Sequence, residues 1–165
     1  MEKATFAAGC FWGVEQAFRS VPGVLDTSVG YEGGSQPSPS YEDVCTDLTG
    51  HAEVVEVTFD PSKVSYEQLV GLFFQIHDPT QRNRQGPDIG TQYRSAIFAH
   101  SGDQARIAQE TIAWLERQKV FRRSIVTTVE PASTFWRAEE YHQRYLAKRG
   151  RSACAVGGAE DPRSL

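Results

Sequence analysis

The sequence contains few sulfur side chains: three of its 165 residues are cysteine, at positions 10, 45 and 154, and Met1 is its one methionine. Three cysteines are too few, and odd in number, to staple a small secreted fold with disulfide bonds. The composition therefore favours free thiols in a reducing compartment, and we expect a cytoplasmic protein.

The sequence also lacks a long apolar run and an excess of basic residues. No stretch approaches the ~20 apolar residues that span a bilayer, and the N-terminal segment carries no apolar signal-peptide core. Lys and Arg number 17 against 21 Asp and Glu, for a formal net charge of -4. We therefore expect neither a nucleic-acid partner nor a membrane partner. The 39% of hydrophobic residues suffice for one core, so we predict a single, monomeric domain over residues 1–165.

Motifs for metals and nucleotides are missing as well. The four histidines, at 51, 77, 100 and 142, form no HxxxH pair, and the cysteines form no CxxC pair, so a zinc site is not predicted. The sequence has no GxGxxG motif and no P-loop. We therefore expect no bound metal and no bound cofactor.

The order of the predicted elements indicates the fold class, because alternating apolar residues predict strands and apolar residues at helical spacing predict helices. The predicted strands are 3–8, 24–31, 52–59, 95–99 and 124–129, and the predicted helices are 11–21, 66–76, 103–119 and 138–148, with a short helical turn at 41–45. No long helix joins the second and third strands. This order favours an α+β two-layer sandwich with a ferredoxin-like split βαβ core and an extra αβ extension. The small, polar segment 150–165 is predicted to be a mobile tail.

Cys10 lies between the first predicted strand and the first predicted helix, in the run GCFWG. A helix N-terminus presents unpaired N–H groups and a partial positive charge. Both favour the thiolate, which is the nucleophilic form of cysteine. Gly9 permits a close approach of the backbone to a ligand, and Phe11 and Trp12 would form an apolar wall beside the sulfur. The alternative is a buried structural cysteine.

Glu53 has the same strand parity as Val55, Val57 and Phe59, which predicts that its carboxylate faces the core. Desolvation at such a position would raise the pKa of the carboxyl and make it a possible proton donor near neutral pH. The alternative is that the strand frays at this end and that Glu53 simply reaches water.

The remaining candidates are ambiguous from their residue types alone. Asp88 and Tyr93 belong to a polar loop that enters a strand, where functional residues are common, but they could also cap a turn or pack. Tyr41 is similarly open. Cys154 lies among small residues of the tail, where a thiol could reach an oxidised sulfur and close a disulfide, or be incidental. Cys45 is predicted to be structural.

A series of motifs extends over roughly residues 3–154, nearly the whole chain. They are GCFWGVE at 9–15, GYEGG at 30–34, TGHAE at 49–53, FDP at 59–61, HDP at 77–79, QG at 85–86, GTQYRS at 90–95 and then AE, YHQ and YL between 138 and 146. In this order and spacing they resemble the peptide methionine sulfoxide reductases of the A type. The resemblance implies a thiol oxidoreductase, peptide-methionine (S)-S-oxide reductase. Its substrate would be the S epimer of methionine sulfoxide in oxidised proteins, with free methionine sulfoxide as a further candidate.

The resemblance also implies the catalytic roles. Cys10 matches the nucleophile, Glu53 the acid that protonates the sulfoxide oxygen, and Cys154 the resolving cysteine. Attack by Cys10 would release methionine and leave a sulfenic acid, and Cys154 would convert that sulfenic acid into a disulfide. Thioredoxin, or dithiothreitol in vitro, would reduce the disulfide, so that the chain needs no bound cofactor.

The substrate-binding residues follow from the same resemblance. Phe11 and Trp12 match the pocket that holds the methyl group of the substrate. Tyr41 and Tyr93 match hydroxyls that hold the sulfoxide oxygen, and Asp88 matches a residue that shapes the site through hydrogen bonds.

Two other functional classes remain open from the residues themselves. Cys10 and a distant histidine could form the dyad of a hydrolase or acyltransferase, and Phe11 with Trp12 could form a non-catalytic binding surface. The chain also departs from the family pattern at Pro87, where relatives often have a polar residue. It has one distal cysteine where some relatives have two, which implies a cycle with one disulfide.

Overall fold

Strands and helices alternate along the part of the chain that the computed structural model describes, residues 1–149. Cys154 and the rest of the predicted tail lie outside the described residues. The elements, in chain order, are β1 (Glu2–Ala8), α1 (Phe11–Arg19), β2 (Val24–Glu32), α2 (Tyr41–Cys45), β3 (Ala52–Phe59), α3 (Tyr66–Gln75), β4 (Arg84–Gln85), β5 (Asp88–Ile89), β6 (Ser95–Ala99), α4 (Gly102–Arg117), β7 (Thr128–Pro131), β8 (Trp136–Arg137) and α5 (Tyr145–Lys148). Short 3-10 helices at Thr91–Tyr93 and Glu140–His142 precede β6 and α5.

One sheet contains most of the strands, in the order β7-β6-β1-β3-β2-β8. Neighbouring strands run antiparallel, except that β6 and β7 are parallel. The four strands β6-β1-β3-β2, with α1 after β1 and α3 after β3, follow the βαββαβ order of a ferredoxin-like fold. The predicted α+β fold with a split βαβ core is therefore confirmed, and α4 with β7 forms the predicted extension. β4 and β5 make a separate hairpin.

Serine side chains define the start of three helices. Ser40, Ser65 and Ser101 lie directly before α2, α3 and α4, and each hydroxyl accepts a hydrogen bond from the backbone N–H three residues later. α1 differs, because Cys10 precedes it and makes no side-chain capping hydrogen bond. The start of α1 therefore depends on a side chain from elsewhere in the fold.

The main core lies between the sheet and helices α1 and α3. Phe6 of β1 stacks on Phe18 of α1, with ring centroids 4.8 Å apart, and on Phe73 of α3, at 5.4 Å. All three rings are fully buried, because alternation in β1 and helical spacing in α1 direct them into one layer. The opposite face of the sheet buries a smaller cluster, namely Ala7, Ala52, Val54, Ala96 and Phe98 with Ala132 and Phe135 packed against it.

The predicted boundaries differ most near the end of the described chain. The predicted strand 124–129 is observed later, as β7, because the Val126 N–H donates to the Pro79 carbonyl at 2.8 Å instead of extending the pairing with β6. The predicted helix over 138–148 is wrong. This segment contains a 3-10 turn, then Arg144 in the left-handed region with a φ of 54°, and then only α5.

Tertiary hydrogen bonds explain why that helix does not form. The side-chain amide of Gln143 bonds to both the N–H and the carbonyl of Val29, at 2.9 Å each. The Arg144 N–H donates to Glu15 Oε1 at 2.7 Å instead of to a carbonyl of its own segment. Contacts with β2 and α1 thus override the helical propensity of the segment.

His77 joins the end of α3 to β6 through a buried chain of hydrogen bonds. Its Nδ1 is 2.6 Å from the Phe73 carbonyl oxygen and its Nε2 is 2.7 Å from the Ser95 hydroxyl, which is 2.7 Å from Thr127 Oγ1. Since Nδ1 must donate to the carbonyl, Nε2 accepts from Ser95 and the ring is neutral. Burial lowers the pKa of His77 to about 4, although the Phe73 carbonyl and the charge of Asp78 oppose this shift.

Acidification is expected to destabilise the fold through His77. The unfolded chain binds a proton here near the ordinary pKa of 6.5, whereas the folded chain binds it only near 4. The contribution of His77 to stability is therefore complete above about pH 6.5 and decreases as the pH falls towards about 4, by about 3 kcal/mol. Urea unfolding across this pH window should show that the free energy of unfolding falls more steeply with decreasing pH for the parent than for His77→Gln. Equal slopes of the free energy of unfolding against pH would contradict the role of His77.

Candidate active site

Cys10 occupies the turn between β1 and α1 and is half-buried. Gly9 makes this turn possible, because its φ is +96° and a Cβ there would lie 2.9 Å from Cγ of Gln85. The thiol therefore sits at the N-terminus of α1, where the helix N–H groups favour an anionic sulfur.

Glu53 lies on the core-facing side of β3 and only 1% of it is exposed, so the prediction from strand parity is confirmed and the strand does not fray there. Its Oε1 accepts a hydrogen bond from the Phe11 N–H at 3.2 Å. Phe11 follows Cys10 directly, so this contact fixes the carboxylate beside the cysteine and supplies the missing partner at the start of α1. The site therefore combines a nucleophile with a buried carboxyl group.

Two tyrosines extend this cluster. Tyr41 is the first residue of α2, and Tyr93 ends the 3-10 helix before β6 and is 6% exposed. Burial and the charge of Glu53 raise the pKa of both hydroxyls above the ordinary value. The charge of Cys10 makes a smaller contribution to both shifts. Both tyrosines remain protonated at neutral pH and can donate hydrogen bonds to an oxygen atom in the site.

Glu139 holds Tyr41 in place from the other side. Its Oε2 accepts from the Tyr41 backbone N–H at 2.9 Å, and its Oε1 accepts from the Tyr31 hydroxyl at 3.0 Å. Burial alone would raise the pKa of this carboxyl, but the hydrogen bonds from Tyr41 and Tyr31 lower it below the ordinary value. An ionised Glu139 therefore links β2 to the start of α2.

Replacing Glu139 with glutamine is expected to lower kcat/KM for a sulfoxide substrate about 10-fold. The amide keeps the size of the side chain but loses one charged acceptor, and a hydrogen bond to a charged group contributes enough for such a loss. Glu140→Gln is the matched control, because Glu140 is exposed and pairs with Arg137 at 2.7 Å on the surface. Equal activity of the two variants would show that Glu139 does not position Tyr41.

An aromatic wall lines the other side of the site. The Trp12 indole N–H donates to His142 Nδ1 at 2.9 Å, and the Trp12 ring stacks on Tyr145 with centroids 3.8 Å apart and an interplanar angle of 7°. The His142 ring lies 4.6 Å from Tyr41 and 5.2 Å from Phe11, centroid to centroid. These flat apolar faces can enclose a methyl group next to Cys10.

Asp88 lies farther along the same rim, in the β4–β5 hairpin. It pairs with Gln85 across the hairpin, and the Gln85 side chain packs against Gly9. The hairpin therefore brings Asp88 close to the turn that carries the cysteine. Its role in shaping the site through hydrogen bonds stays a prediction.

Cys45 contacts the site, which the prediction of a purely structural thiol did not anticipate. It is exposed, and its sulfur accepts a hydrogen bond from Gln92 Nε2 at 3.5 Å. Burial raises the pKa of Tyr41 most, followed by the charge of Glu53 and then by the charge of Cys45. Cys45 lies one turn after Tyr41 on α2, on the same face of that helix.

Sequence reasoning assigned no role to Glu139, His142 or Tyr145. The pattern predicted a regular helix over 138–148 and gave no sign that these side chains turn towards Trp12 and Tyr41. The available signal was the density of acidic, aromatic and imidazole groups in one short segment, YHQRY at 141–145 after two glutamates.

The other histidines are engaged away from the cluster. His51 bonds to the Gly34 N–H, His77 to Ser95 and His100 to Thr5. Within residues 1–149, no group of three His, Cys, Asp or Glu side chains is arranged to hold a metal ion. No helix in this part of the chain is both long and apolar enough to cross a membrane. His142, the histidine in the aromatic wall, accepts from the Trp12 indole through Nδ1, so the geometry does not favour a hydrolase dyad.

Comparisons with known proteins agree on one family. The family model described as "Peptide methionine sulfoxide reductase" matches residues 2–163. The protein named peptide methionine sulfoxide reductase MsrA from Acidobacterium capsulatum is 63% identical over 156 residues, which cover 94% of this chain and 100% of that protein.

Solved structures agree with these matches. The crystal structure of Mxr1 from Saccharomyces cerevisiae in reduced form superposes with a TM-score of 0.84 at 39% identity, covering 97% of this chain and 92% of that chain. Mxr1 in complex with Trx2 gives a TM-score of 0.60 at 28% identity, covering 87% of this chain and 84% of that chain. The chain belongs to the peptide methionine sulfoxide reductase family.

Proposed function

We propose that this enzyme reduces the S epimer of methionine sulfoxide to methionine with Cys10 as the nucleophile and Glu53 as the general acid. The observation that carries the assignment is the hydrogen bond from the Phe11 N–H to the buried Glu53 carboxylate. It keeps an acid beside the cysteine at the start of α1. A thiolate and a proton donor in one pocket are the two groups that sulfoxide reduction needs.

Substrate orientation follows from the two sides of the site. The methyl group of the substrate packs against the aromatic wall, in which Phe11 and Trp12 adjoin Cys10. The sulfoxide oxygen then points towards the protonated hydroxyls of Tyr41 and Tyr93 and towards Glu53. This orientation presents the sulfur atom to the thiolate and supports selection of one epimer.

The chemical step transfers the oxygen from the substrate to the enzyme. Glu53 donates a proton to the sulfoxide oxygen, which is a poor leaving group until it is protonated. The Cys10 thiolate attacks the substrate sulfur and forms an S–S bond to the protonated sulfoxide. The hydroxyl group then moves to the Cys10 sulfur as the S–O and S–S bonds break, the electron pair of the S–S bond stays on the methionine sulfur, and Cys10 is left as a sulfenic acid. Methionine leaves as the reduced product.

We assign the resolving step to Cys154. Its thiol attacks the sulfenic acid, forming a Cys10–Cys154 disulfide and releasing water. An external dithiol then returns both cysteines to thiols. Thioredoxin is the reductant that we propose, supported by the similarity to Mxr1 in complex with Trx2, with dithiothreitol as its substitute in vitro.

Replacing Cys154 with serine is expected to leave one turnover and then stop the cycle. The variant still forms the sulfenic acid, so one equivalent of methionine should appear without reductant. Steady-state turnover with thioredoxin should then fall to the background. Quantifying methionine per enzyme molecule by chromatography measures both phases. Unchanged cycling with thioredoxin would remove Cys154 from the mechanism, whereas Cys45→Ser should cycle and serves as the control.

Supplying the separate S and R epimers with dithiothreitol tests the function itself. We expect consumption of the S epimer, in peptides and as the free amino acid, and none of the R epimer. Preference for the R epimer would contradict the proposal.

We further propose that residues 1–165 form one monomeric catalytic domain that acts in the cytoplasm, where thioredoxin-type reductants keep thiols reduced.

A further inference from the structure

Three large exposed hydrophobic side chains lie on segments that border the candidate site. Leu48 is 86% exposed, Ile89 is 72% exposed and Tyr141 is 57% exposed. We refer to these three residues as the apolar rim. Isolated exposed hydrophobic residues are ordinary, but a group of them beside a pocket marks a binding surface.

Hydrogen bonds and ring contacts connect the rim to the site. Asp47 Oδ1 accepts from the Thr91 N–H at 2.8 Å, which joins the loop of Leu48 to the end of the hairpin that carries Ile89. On the other side, the Tyr141 ring lies 4.1 Å from His142, a member of the aromatic wall. The rim therefore continues outward from the surface that faces Cys10.

The charge is negative on the side of the rim that residues 41–50 form, whereas Arg84 pairs with Ile89 across the hairpin. Residues 41–50 contain three carboxylates, Glu42, Asp43 and Asp47, and no Lys or Arg. Glu42 and Asp47 are exposed, and the charge of Glu42 also raises the pKa of the Tyr141 hydroxyl, after burial and Glu139. A ligand that lies along this side of the rim meets both apolar side chains and negative charge.

We propose that the apolar rim binds hydrophobic side chains that flank the oxidised methionine of a protein substrate, with a preference for a neighbouring Lys or Arg. This inference rests on the proposed function, since the pocket must hold the methionine sulfoxide itself. Free methionine sulfoxide has no such neighbours and gains nothing from the rim.

Kinetics with substrates of two sizes tests the inference. The substrates are N-acetyl-methionine sulfoxide amide and short peptides in which methionine sulfoxide is flanked by Leu and Lys, by Leu and Glu, or by Gly alone, with dithiothreitol as reductant. The parent should show the highest kcat/KM for the Leu and Lys peptide. The double variant Leu48→Ser with Ile89→Ser should lose about 10-fold on that peptide through KM. Its rate on the small amide should stay within about 2-fold.

Two further variants make the test specific. Trp114→Ser removes an exposed hydrophobic side chain on α4 and should leave all substrates unaffected. Glu42→Lys should reverse the preference between the Lys and Glu peptides. Equal losses of kcat/KM on the peptide and the amide, or no loss on the peptide, would overturn the inference. A loss seen only when thioredoxin is the reductant would also overturn it, because the rim would then bind the reductant. Failure of the parent to reduce any sulfoxide would instead overturn the proposed function.

Discussion

Replacing Cys10 with serine is expected to reduce methionine sulfoxide turnover to the uncatalysed background, at least about 10⁴-fold below the parent rate. A serine hydroxyl stays protonated at the N-terminus of α1 and cannot accept the oxygen as a sulfenic acid. Neither the acid nor the tyrosines can compensate, because the oxygen then has no sulfur atom to receive it. A coupled thioredoxin assay and direct detection of methionine both measure the loss.

The fold of this variant should be unchanged, because Cys10 is half-buried and its side chain makes no capping hydrogen bond to α1. Thermal unfolding should confirm that. Cys45→Ser is the matched control, because it changes another thiol, on the same helix as Tyr41. We expect it to keep activity within a few-fold of the parent. Activity that survives in Cys10→Ser would exclude the covalent mechanism.

Replacing Glu53 with glutamine is expected to slow sulfenic acid formation by about 10² to 10⁴-fold, the usual contribution of a general acid. Glutamine has nearly the same shape, and its oxygen can still accept from the Phe11 N–H, so the start of α1 should be preserved. The amide cannot transfer a proton to the sulfoxide oxygen. Single-turnover kinetics without reductant isolates this step from the reduction of the disulfide.

Glu56→Gln provides the control on the same strand. Glu56 has the opposite parity and forms an ion pair with Lys3 at 3.3 Å on the other face of the sheet, so its replacement should leave the rate unchanged. A rate for Glu53→Gln close to that of the parent would reduce Glu53 to a structural partner of α1. That outcome would leave Tyr41 or Tyr93 as the source of the proton.

The central part of the fold could be predicted because local pattern and tertiary structure agree there. Alternation in 52–59 placed Glu53 on the core face together with Val55 and Val57, and the structure buries all three. The strand and helix order was sufficient for the ferredoxin-like core. Cys10 could be placed at a helix start because Gly9 ends the first strand and an apolar helical pattern follows.

The segment after β8 could not be predicted from local pattern, because its conformation depends on partners far away in the sequence. Gln143 bonds to Val29 and the Arg144 N–H bonds to Glu15, so the expected helix is interrupted and His142 turns to Trp12. The same limit applies to Cys45, whose contact with Gln92 joins the end of α2 to the 3-10 helix before β6, two elements that are distant along the chain. Site residues supplied by long-range hydrogen bonds carry no periodic signal.

Mass spectrometry after one equivalent of a methyl sulfoxide substrate, without reductant, tests the central claim most directly. The account predicts one equivalent of reduced product and the loss of two hydrogen atoms, that is two protons and two electrons, from the protein. After digestion, the disulfide should join the peptide of Cys10 to the peptide of Cys154, while Cys45 remains alkylatable. An oxidised product that lacks Cys10, or product formation with every cysteine still alkylatable, would contradict the account.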